Sequence, residues 1–336
     1  MKICICGGGN LGHTLAGVFA QKADVCLLTR HPEKWSNEIT VYDSTKTIVG
    51  KLGEITDNPN IVSSCDMVIL CLPGFAIREE LLKIKPYLKP ETTVGTVVSS
   101  TGFFFEAMEV LPDTTPLFGF QRVPYIARVR EYGKSVDLLG HKDSLNLAVE
   151  HSNDKDKENI RQVLENLTDT PTKLLKNYLE ASLTNSNPLL HTSRMYAMWH
   201  DWKPGIAYPE QNLFYEDWDI SSAELLIAMD NEFQELLKVL PVTPGCIPSI
   251  LEYYESSDAE SLARKIRSIS AFKGIKSPMV QTDKGWIPDI TSRYFTEDFM
   301  FGLSRIVKLI HEKNINSHNI DKVYEWGNRM IRANEK

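Results

Sequence analysis

Short apolar runs alternate with longer amphipathic segments along the first hundred residues of this chain. The apolar runs predict strands at residues 2–6, 24–29, 66–72 and 93–99. The amphipathic segments predict helices at residues 11–21 and 78–88. The third run, DMVILCL, is apolar without alternation, which is typical of a strand covered on both faces of a parallel sheet. The order of these elements predicts an α/β fold with a doubly wound parallel sheet.

The second half of the chain has a different pattern, in which amphipathic helices dominate. The clearest helix is predicted over residues 221–240, where apolar residues recur at spacings of three and four. Further helices are predicted at residues 259–269 and 299–311. The sequence therefore predicts two domains, a sheet domain over residues 1–172 and a helical domain over residues 173–336.

The composition is that of an ordinary globular protein with a mildly acidic surface. Hydrophobic residues make up 42% of the 336 residues, and no apolar stretch approaches the length of about 20 residues that a membrane helix needs. The N-terminal segment lacks the long apolar core of a secretory signal, so we expect a cytoplasmic protein without a membrane partner. The formal net charge of −7 argues against nucleic acid as the main partner.

Six cysteines are present, and five of them lie within the first 71 residues. They form no CxxC pair, and most of them fall in or beside predicted strands. We interpret them as buried reduced thiols that pack like small apolar side chains, not as metal ligands. The sequence therefore predicts no metal site, and reduced thiols fit a reducing compartment.

A glycine-rich turn follows the first predicted strand and opens the first predicted helix. It reads GGGNLG over residues 7–12 and has the GxGxxG spacing of a dinucleotide site. Gly7 permits the tight turn, Gly9 lets the backbone approach a pyrophosphate, and Gly12 lets the helix pack closely on the strand. The free N–H groups at the helix start then face the phosphates. The residues assigned to the cofactor in this turn are Gly7, Gly9, Asn10, Leu11 and Gly12.

The end of the second predicted strand bears on the choice between NAD and NADP. An NAD site usually has an acidic residue there to bind the ribose 2′-hydroxyl, whereas this chain has Thr29 and Arg30. A guanidinium can pair with a 2′-phosphate, so we expect NADP to be preferred, with a surface arginine beside an NAD site as the alternative. Pro73 follows a later strand and is expected on the nicotinamide side, although a plain turn has the same sequence.

Two segments of the helical half carry candidate chemistry. In the first, NSNPLLH, Asn187 suits a helix N-cap before a proline, and His191 lies on the same helical face. In the second, SRYFTED, Asp298 suits a helix start through the helix dipole, and Arg293 suits a surface charge. These structural interpretations stand beside catalytic ones. Nearby aromatic residues, Tyr215 among them, are interpreted as core or interface side chains, with a substrate cleft as the alternative.

Together these segments resemble the opine dehydrogenase family, which includes octopine and nopaline dehydrogenases. The resemblance covers nearly the whole chain and rests on GGGNLG, on NPLLHTSRMY at the start of the helical domain and on SRYFTEDF near its end. The middle segment VPYIARVREYGKSVDLLG is similar to a Pro-Tyr-x-x-Arg stretch of the family. The resemblance implies an N-terminal Rossmann domain and a C-terminal all-helical domain. It also implies an NAD(P)H-dependent reaction that condenses an amino acid with a 2-oxo acid and reduces the imine.

The resemblance also implies roles for individual residues. The catalytic histidine of the family maps onto His191, its supporting aspartate onto Asp298, and the arginine five residues earlier onto Arg293. A histidine suits a reaction that both gives and takes protons near neutral pH, and a carboxylate on its other ring nitrogen fixes the tautomer. A guanidinium suits a substrate carboxylate. Asn187 and Gln121 are further candidates for substrate contacts.

Other functions on this scaffold remain as alternatives. Ketopantoate reductases and glycerol-3-phosphate dehydrogenases typically rely on a lysine proton donor, and Lys173 and Lys176 lie near the domain boundary. A protein that binds NADP(H) without turnover is a third alternative. The oligomeric state stays open, with a homodimer as one alternative. His13, which follows the glycine-rich motif, is interpreted as an incidental residue.

Overall fold

The computed structural model describes residues 1–334 and divides into two compact units. The first unit spans Met1–Thr184, and the second begins at Asn185. This division lies beyond the boundary expected near residue 172, because the strand Thr172–Leu174 pairs with Leu145–Glu150 of the first unit.

The strands of the first unit are β1 (Lys2–Cys6), β2 (Asp24–Leu28), β3 (Glu38–Asp43), β4 (Thr47–Lys51), β5 (Ile55–Thr56), β6 (Met67–Leu70), β7 (Thr93–Thr96), β8 (Leu117–Phe120), β9 (Tyr125–Glu131), β10 (Ser135–His141), β11 (Leu145–Glu150) and β12 (Thr172–Leu174). Its helices are α1 (Asn10–Phe19), α2 (Gly74–Ile84), α3 (Phe103–Val110), α4 (Asp154–Thr168) and α5 (Tyr178–Ser182).

Eight strands of the first unit form one sheet in the order β12-β11-β8-β7-β6-β1-β2-β5. All neighbouring pairs are parallel except β8 with β11, which run antiparallel. Central residues such as Ile5 and Val68 are fully buried, because apolar side chains pack on both faces of the sheet. The predicted α/β class with a doubly wound parallel sheet is thereby confirmed.

A second sheet in the same unit was not predicted from the sequence. Its order is β4-β3-β10-β9, and it packs against α1, of which residues 12–17 are buried. In the chain, β3 and β4 stand between β2 and β6, where a doubly wound fold usually has a helix. Both strands are partly exposed, so neither gives the apolar run that identifies a buried strand.

The second unit is helical, as predicted, and it also contains one small hairpin. Its helices are α6 (Asn187–Trp199), α7 (Ile220–Val239), α8 (Ile250–Tyr253), α9 (Ala259–Ser268), α10 (Ser304–Glu312) and α11 (His318–Asn334), and a π-helical segment spans Tyr294–Leu303. The hairpin pairs β13 (Met279–Thr282) with β14 (Gly285–Pro288). Gly302 lets the π-helical segment approach α6 closely, since an added Cβ would lie 2.5 Å from Pro188 Cγ. None of the helices in residues 1–334 combines the length and the apolar character that a membrane span needs.

Candidate active site

The glycine-rich turn of the first unit connects β1 to α1. Gly7 has a φ of +109°, a conformation that residues with a side chain rarely adopt. A Cβ at Gly12 would lie 2.1 Å from the carbonyl oxygen of Gly7, so α1 starts in direct contact with the turn. A Cβ at Gly9, by contrast, would meet no heavy atom within 4 Å among the described residues beyond its own chain neighbours. Gly7 and Gly12 therefore serve the shape of the turn, while the backbone at Gly9 is open to a ligand.

The start of α1 has the features of an anion site. Gly9 is the N-cap, and within the described chain the first turn has neither a side-chain cap nor an acidic residue. The first N–H groups of a helix lack partners inside the helix and carry a partial positive charge. These donors and the open backbone fit the pyrophosphate of a dinucleotide. The side chains of Leu11 and Asn10 serve the fold, since Leu11 packs on the core and Asn10 Oδ1 accepts from the N–H of Val129.

His13 is a structural residue whose role the sequence did not reveal. Its ring is buried and stacks on Trp35 with the ring centroids 4.1 Å apart. Nε2 accepts a hydrogen bond from the N–H of Gly133 at 2.7 Å, so Nδ1 carries the proton and donates to the carbonyl oxygen of Gly9 at 2.9 Å. Burial lowers the pKa of this imidazole. His13 therefore ties the glycine-rich turn to the second sheet while it is neutral.

The end of β2 places a buried threonine, Thr29, beside an exposed arginine, Arg30. Burial raises the pKa of Glu80 on α2, and the positive charges of Lys83 and Arg30 oppose that shift. The hydrogen bond from Lys83 lowers the pKa of Glu79, and Arg30 acts in the same direction. This strand end therefore combines one exposed cation with carboxylates that are close enough to weaken its attraction for a phosphate.

Pro73 and Gln121 lie at other strand ends of the first unit. Pro73 is exposed and is the N-cap of α2, which starts earlier than the predicted residue 78. The amide N–H groups of Gln121 donate to the carbonyl oxygen of Glu180 and to Thr184 Oγ1. Its amide oxygen accepts from Asn146 Nδ2. The side chain of Gln121 is therefore engaged within the first unit, and these three hydrogen bonds use all but one lone pair of its amide oxygen.

The open and closed glycine positions give a matched pair of variants. We expect Gly9→Ala to leave Tm unchanged but to weaken NADPH and NADH binding about tenfold or more, because the methyl group would displace a pyrophosphate from the backbone donors. Gly12→Ala is expected to lower both Tm and cofactor affinity, because its methyl group would overlap the carbonyl oxygen of Gly7. Thermal unfolding and cofactor titration by nucleotide fluorescence measure both effects. Wild-type affinity in Gly9→Ala would place the pyrophosphate away from this turn.

In the second unit, His191 of α6 meets Asp298 of the π-helical segment across 107 residues of sequence. Nδ1 of His191 lies 2.8 Å from Oδ2 of Asp298, and the two side chains are only 10% and 16% exposed. An imidazole that faces a carboxylate at Nδ1 carries its proton there, so Nε2 is the nitrogen that can gain and lose one. The pair therefore has the geometry of a histidine that a carboxylate orients for acid–base chemistry.

Tyr215 occupies the other side of the His191 ring. Its hydroxyl oxygen lies 2.7 Å from Nε2, and with the proton of His191 on Nδ1 the Tyr215 O–H donates to Nε2. The ring is buried and stacks on Phe272 at a centroid distance of 4.0 Å. Burial raises the pKa of Tyr215, and the neighbouring Tyr294 adds to the shift, so the phenol keeps its proton. Tyr215 lies in a turn without helical or strand periodicity, so its pattern in the sequence did not reveal the contact with His191.

Tyr294 and Arg293 stand at the start of the π-helical segment. The ring of Tyr294 lies 4.7 Å from that of His191, between centroids. Burial raises the pKa of Tyr294, Asp298 adds to the shift, and the charge of Arg293 opposes it. Arg293 is exposed. The role of Tyr294 was not predicted, although its place four residues before Asp298, on the same helical side, was a usable signal.

The first turn of α6 differs from the expected arrangement. The helix starts at Asn187 with Ser186 as its N-cap, and the side chain that accepts from the N–H of Asn187 is that of Asn185. The interpretation of Asn187 as the N-cap is therefore wrong, because Asn185 already satisfies the end of the helix. Asn187 is partly exposed, lies one turn before His191, and has no side-chain hydrogen bond to any other described residue.

Arg194 fixes the loop that carries Tyr215. Its guanidinium is 2% exposed and lies on α6, one turn after His191. Nε donates to the carbonyl oxygen of Phe214 at 3.1 Å, and Nη2 donates to that of Asp217 at 2.6 Å. These two carbonyls flank Tyr215 in the chain. The helix that carries His191 therefore also holds the loop that supplies the partner of its Nε2.

The five cysteines of the first unit, Cys4, Cys6, Cys26, Cys65 and Cys71, are free thiols. The sulfur atoms of Cys4, Cys26 and Cys65 lie within 4.8 Å of one another, in an apolar cluster under the large sheet. Cys26 Sγ donates to the carbonyl oxygen of Ile3, and Cys65 Sγ donates to that of Ile61. These thiols are packed and have partners in the fold, in the manner expected of small buried side chains.

Comparison with known proteins gives one family match in each half of the chain. Residues 174–331 match the model of the alpha-helical domain of NAD/NADP octopine/nopaline dehydrogenase, and residues 3–102 match the model of ketopantoate reductase PanE/ApbA. Tauropine dehydrogenase of Arabella iricolor is 31% identical, with 98% of this chain and 91% of the relative covered. Octopine dehydrogenase of Pecten maximus is 29% identical, with 98% and 90% covered.

Solved structures agree with these matches. Octopine dehydrogenase in complex with NADH and L-arginine superposes with a TM-score of 0.84 at 27% identity, over 98% of this chain and 89% of that one. Yersinopine dehydrogenase bound to NADP+ shares the fold, with a TM-score of 0.70 at 13% identity over 99% and 91%. The fold and these matches define a nicotinamide-dependent oxidoreductase of the class that acts on CH–NH bonds. Within that class, the chain belongs to the opine dehydrogenase family.

Proposed function

We propose that this chain joins the amino group of an amino acid to the keto carbon of a 2-oxo acid and reduces the resulting imine with NAD(P)H. The observation that carries the proposal is the 2.8 Å contact of His191 with Asp298, in a unit that matches the helical domain of octopine and nopaline dehydrogenases. Octopine dehydrogenase has been solved with NADH and L-arginine and with NADH and pyruvate. These complexes support an amino acid and a 2-oxo acid as the substrate classes.

The proposed reaction needs proton transfer at two points. The ammonium group of the amino acid must lose a proton before its nitrogen attacks the keto carbon. The hydroxyl group of the resulting carbinolamine must then gain a proton to leave as water. His191 performs both transfers through Nε2, while Asp298 keeps Nδ1 protonated and stabilises the imidazolium. Bound nicotinamide supplies the hydride, and the whole reaction consumes one further proton.

Substrate carboxylates need cationic or hydrogen-bonding partners. Arg293 is exposed at the start of the segment that carries Asp298, and its guanidinium suits a carboxylate. Asn187 offers an amide without a partner among the described residues, on the His191 face of α6. We assign these two residues to substrate binding. Gln121 is the weaker member of the set, because three hydrogen bonds already engage its side chain.

For the cofactor we propose that NADP is preferred to NAD, and Arg30 gives the test. Arg30→Ala is expected to weaken NADPH binding about tenfold and to leave NADH binding almost unchanged, since only NADPH carries a 2′-phosphate. The effect stays near tenfold because Glu79 and Glu80 compete for this charge. Lys34→Ala is the matched control, an exposed cation whose loss changes the net charge equally. Equal weakening of NADPH binding and NADH binding would show that Arg30 does not bind the 2′-phosphate.

The assay that tests the function follows NADPH and NADH oxidation with pyruvate and a panel of amino acids that includes L-arginine. We expect oxidation only when both an amino acid and a 2-oxo acid are present, and a secondary amine product by mass spectrometry. Ketopantoate and dihydroxyacetone phosphate serve as control carbonyls, because the first unit matches the ketopantoate reductase model. Oxidation with a control carbonyl alone would replace the proposal by a simple reductase. Tight cofactor binding without turnover would favour a sensor.

A further inference from the structure

Both ring nitrogens of His191 are engaged by protein groups. Asp298 contacts Nδ1 at 2.8 Å, and the hydroxyl of Tyr215 contacts Nε2 at 2.7 Å. A substrate that exchanges a proton with His191 must therefore displace Tyr215 or exchange the proton through it. The choice between these two routes depends on how firmly the Tyr215 side chain is held.

Three sets of contacts oppose displacement of Tyr215. Its ring stacks on Phe272 at 4.0 Å with an interplanar angle of 15°. The ring is only 5% exposed, and the side chain of Trp218 lies parallel to it. The backbone on either side is fixed by the buried guanidinium of Arg194. Swinging the ring away would break this stack and expose an apolar surface.

We propose that the hydroxyl group of Tyr215 is a proton relay between His191 Nε2 and the reacting substrate. This inference rests on the proposed function. In the forward direction the Nε2 proton of the imidazolium passes to the Tyr215 oxygen, and the proton that Tyr215 carried passes to the carbinolamine hydroxyl. The C–O bond then breaks with release of water, and the nitrogen lone pair forms the C=N bond of the iminium. His191 ends neutral, and Tyr215 ends as it began.

The electrostatics of Tyr215 suit a relay and not a base. Burial raises its pKa, and the nearby Tyr294 and Asp298 act in the same direction, so a tyrosinate is disfavoured. A hydroxyl that receives one proton as it gives another never becomes charged. Tyr294 lies next along this path, since it interacts with Tyr215 and is more exposed. The chain of contacts from Asp298 through His191 and Tyr215 therefore ends at Tyr294, a phenol that is more exposed than Tyr215.

Tyr215→Phe tests the relay, because it removes one oxygen and keeps the stacked ring. We expect kcat to fall about 10²-fold with little change in either KM, and the pH profile of kcat to change shape. Tyr125→Phe is the matched control, a buried tyrosine of the first unit whose hydroxyl donates to the carbonyl oxygen of Thr168. It should keep wild-type kinetics. If Tyr215→Phe keeps the wild-type kcat while His191 is still required, the Tyr215 hydroxyl transfers no proton and the relay is overturned.

Two measurements on wild-type protein remain decisive if the variant folds poorly. A relay moves two protons in one step. In mixtures of H2O and D2O, a plot of kcat against the deuterium fraction of the solvent should therefore be curved, and a straight line contradicts the relay. Histidine-selective 15N NMR should show the proton of His191 on Nδ1 and a hydrogen-bonded Nε2. The opposite tautomer overturns the relay even in a protein without turnover. If wild-type protein turns over none of the substrates but NMR shows the expected His191 tautomer, the result contradicts the proposed function and not the relay geometry.

Discussion

Replacement of His191 by asparagine is expected to lower kcat about 10³-fold while cofactor affinity stays within about twofold of wild type. Asparagine keeps a polar group opposite Asp298 but has no nitrogen that gains and loses a proton near neutral pH. The cofactor features lie in the first unit, at the glycine-rich turn, so their affinity should not depend on this side chain. Steady-state kinetics and nucleotide titration give the two numbers. Equal losses in kcat and in cofactor affinity would make His191 a structural residue.

Asp298→Asn completes the test of the pair. The amide cannot stabilise an imidazolium and can turn its NH2 toward Nδ1, which favours the wrong tautomer, so kcat should fall about 10²-fold or more. The double variant is expected to be hardly slower than His191→Asn alone, because residues that act as a unit are not additive. His200→Asn is the control, since His200 is an exposed histidine at the end of the same helix. Additive losses would mean that the two residues act separately.

The sequence predicted the four neighbouring strands β7, β6, β1 and β2 of the large sheet, because buried parallel strands are continuous apolar runs that need no partner to be recognised. It also placed the glycine-rich turn correctly between β1 and α1, since Gly7 and Gly12 are required by the shape of the turn. The second sheet was not predicted because β3 and β4 are partly exposed and give no continuous apolar run. Their stability comes from packing against α1, which is a contact between distant segments and leaves no local pattern.

The candidate site shows the same limit more sharply. His191 and Asp298 were identified through family motifs, and no periodicity relates two residues 107 positions apart. Tyr215 lies in a turn, and its position depends on Phe272 and on the carbonyls that a buried arginine holds. His13 was misjudged for a similar reason, because the groups that bury it come from the second sheet.

Arg194→Met is expected to destabilise the second unit by about 3–5 kcal/mol, because it removes the donor of three hydrogen bonds and each buried acceptor left unsatisfied costs about 1–3 kcal/mol. The methionine would fill much of the space but leave the carbonyls of Phe214 and Asp217 without their donor. It would also remove the donor to Ser222 Oγ at 3.0 Å. Urea unfolding followed by tryptophan fluorescence measures the effect, because Trp218 lies 5.6 Å from the guanidinium carbon.

Arg267→Met provides a control, because Arg267 donates to a carbonyl of the same loop from another helix. Arg267 donates to the carbonyl oxygen of Trp218 at 2.7 Å, but it is exposed on α9, so water replaces the lost donor and the cost should stay below about 1 kcal/mol. At a temperature where Arg194→Met is still folded, its kcat should also be reduced, because Tyr215 then loses the backbone anchors that set its distance from His191. Equal urea midpoints for the two variants would show that burial of Arg194 adds nothing. The geometry of the site would then depend on the aromatic stack alone.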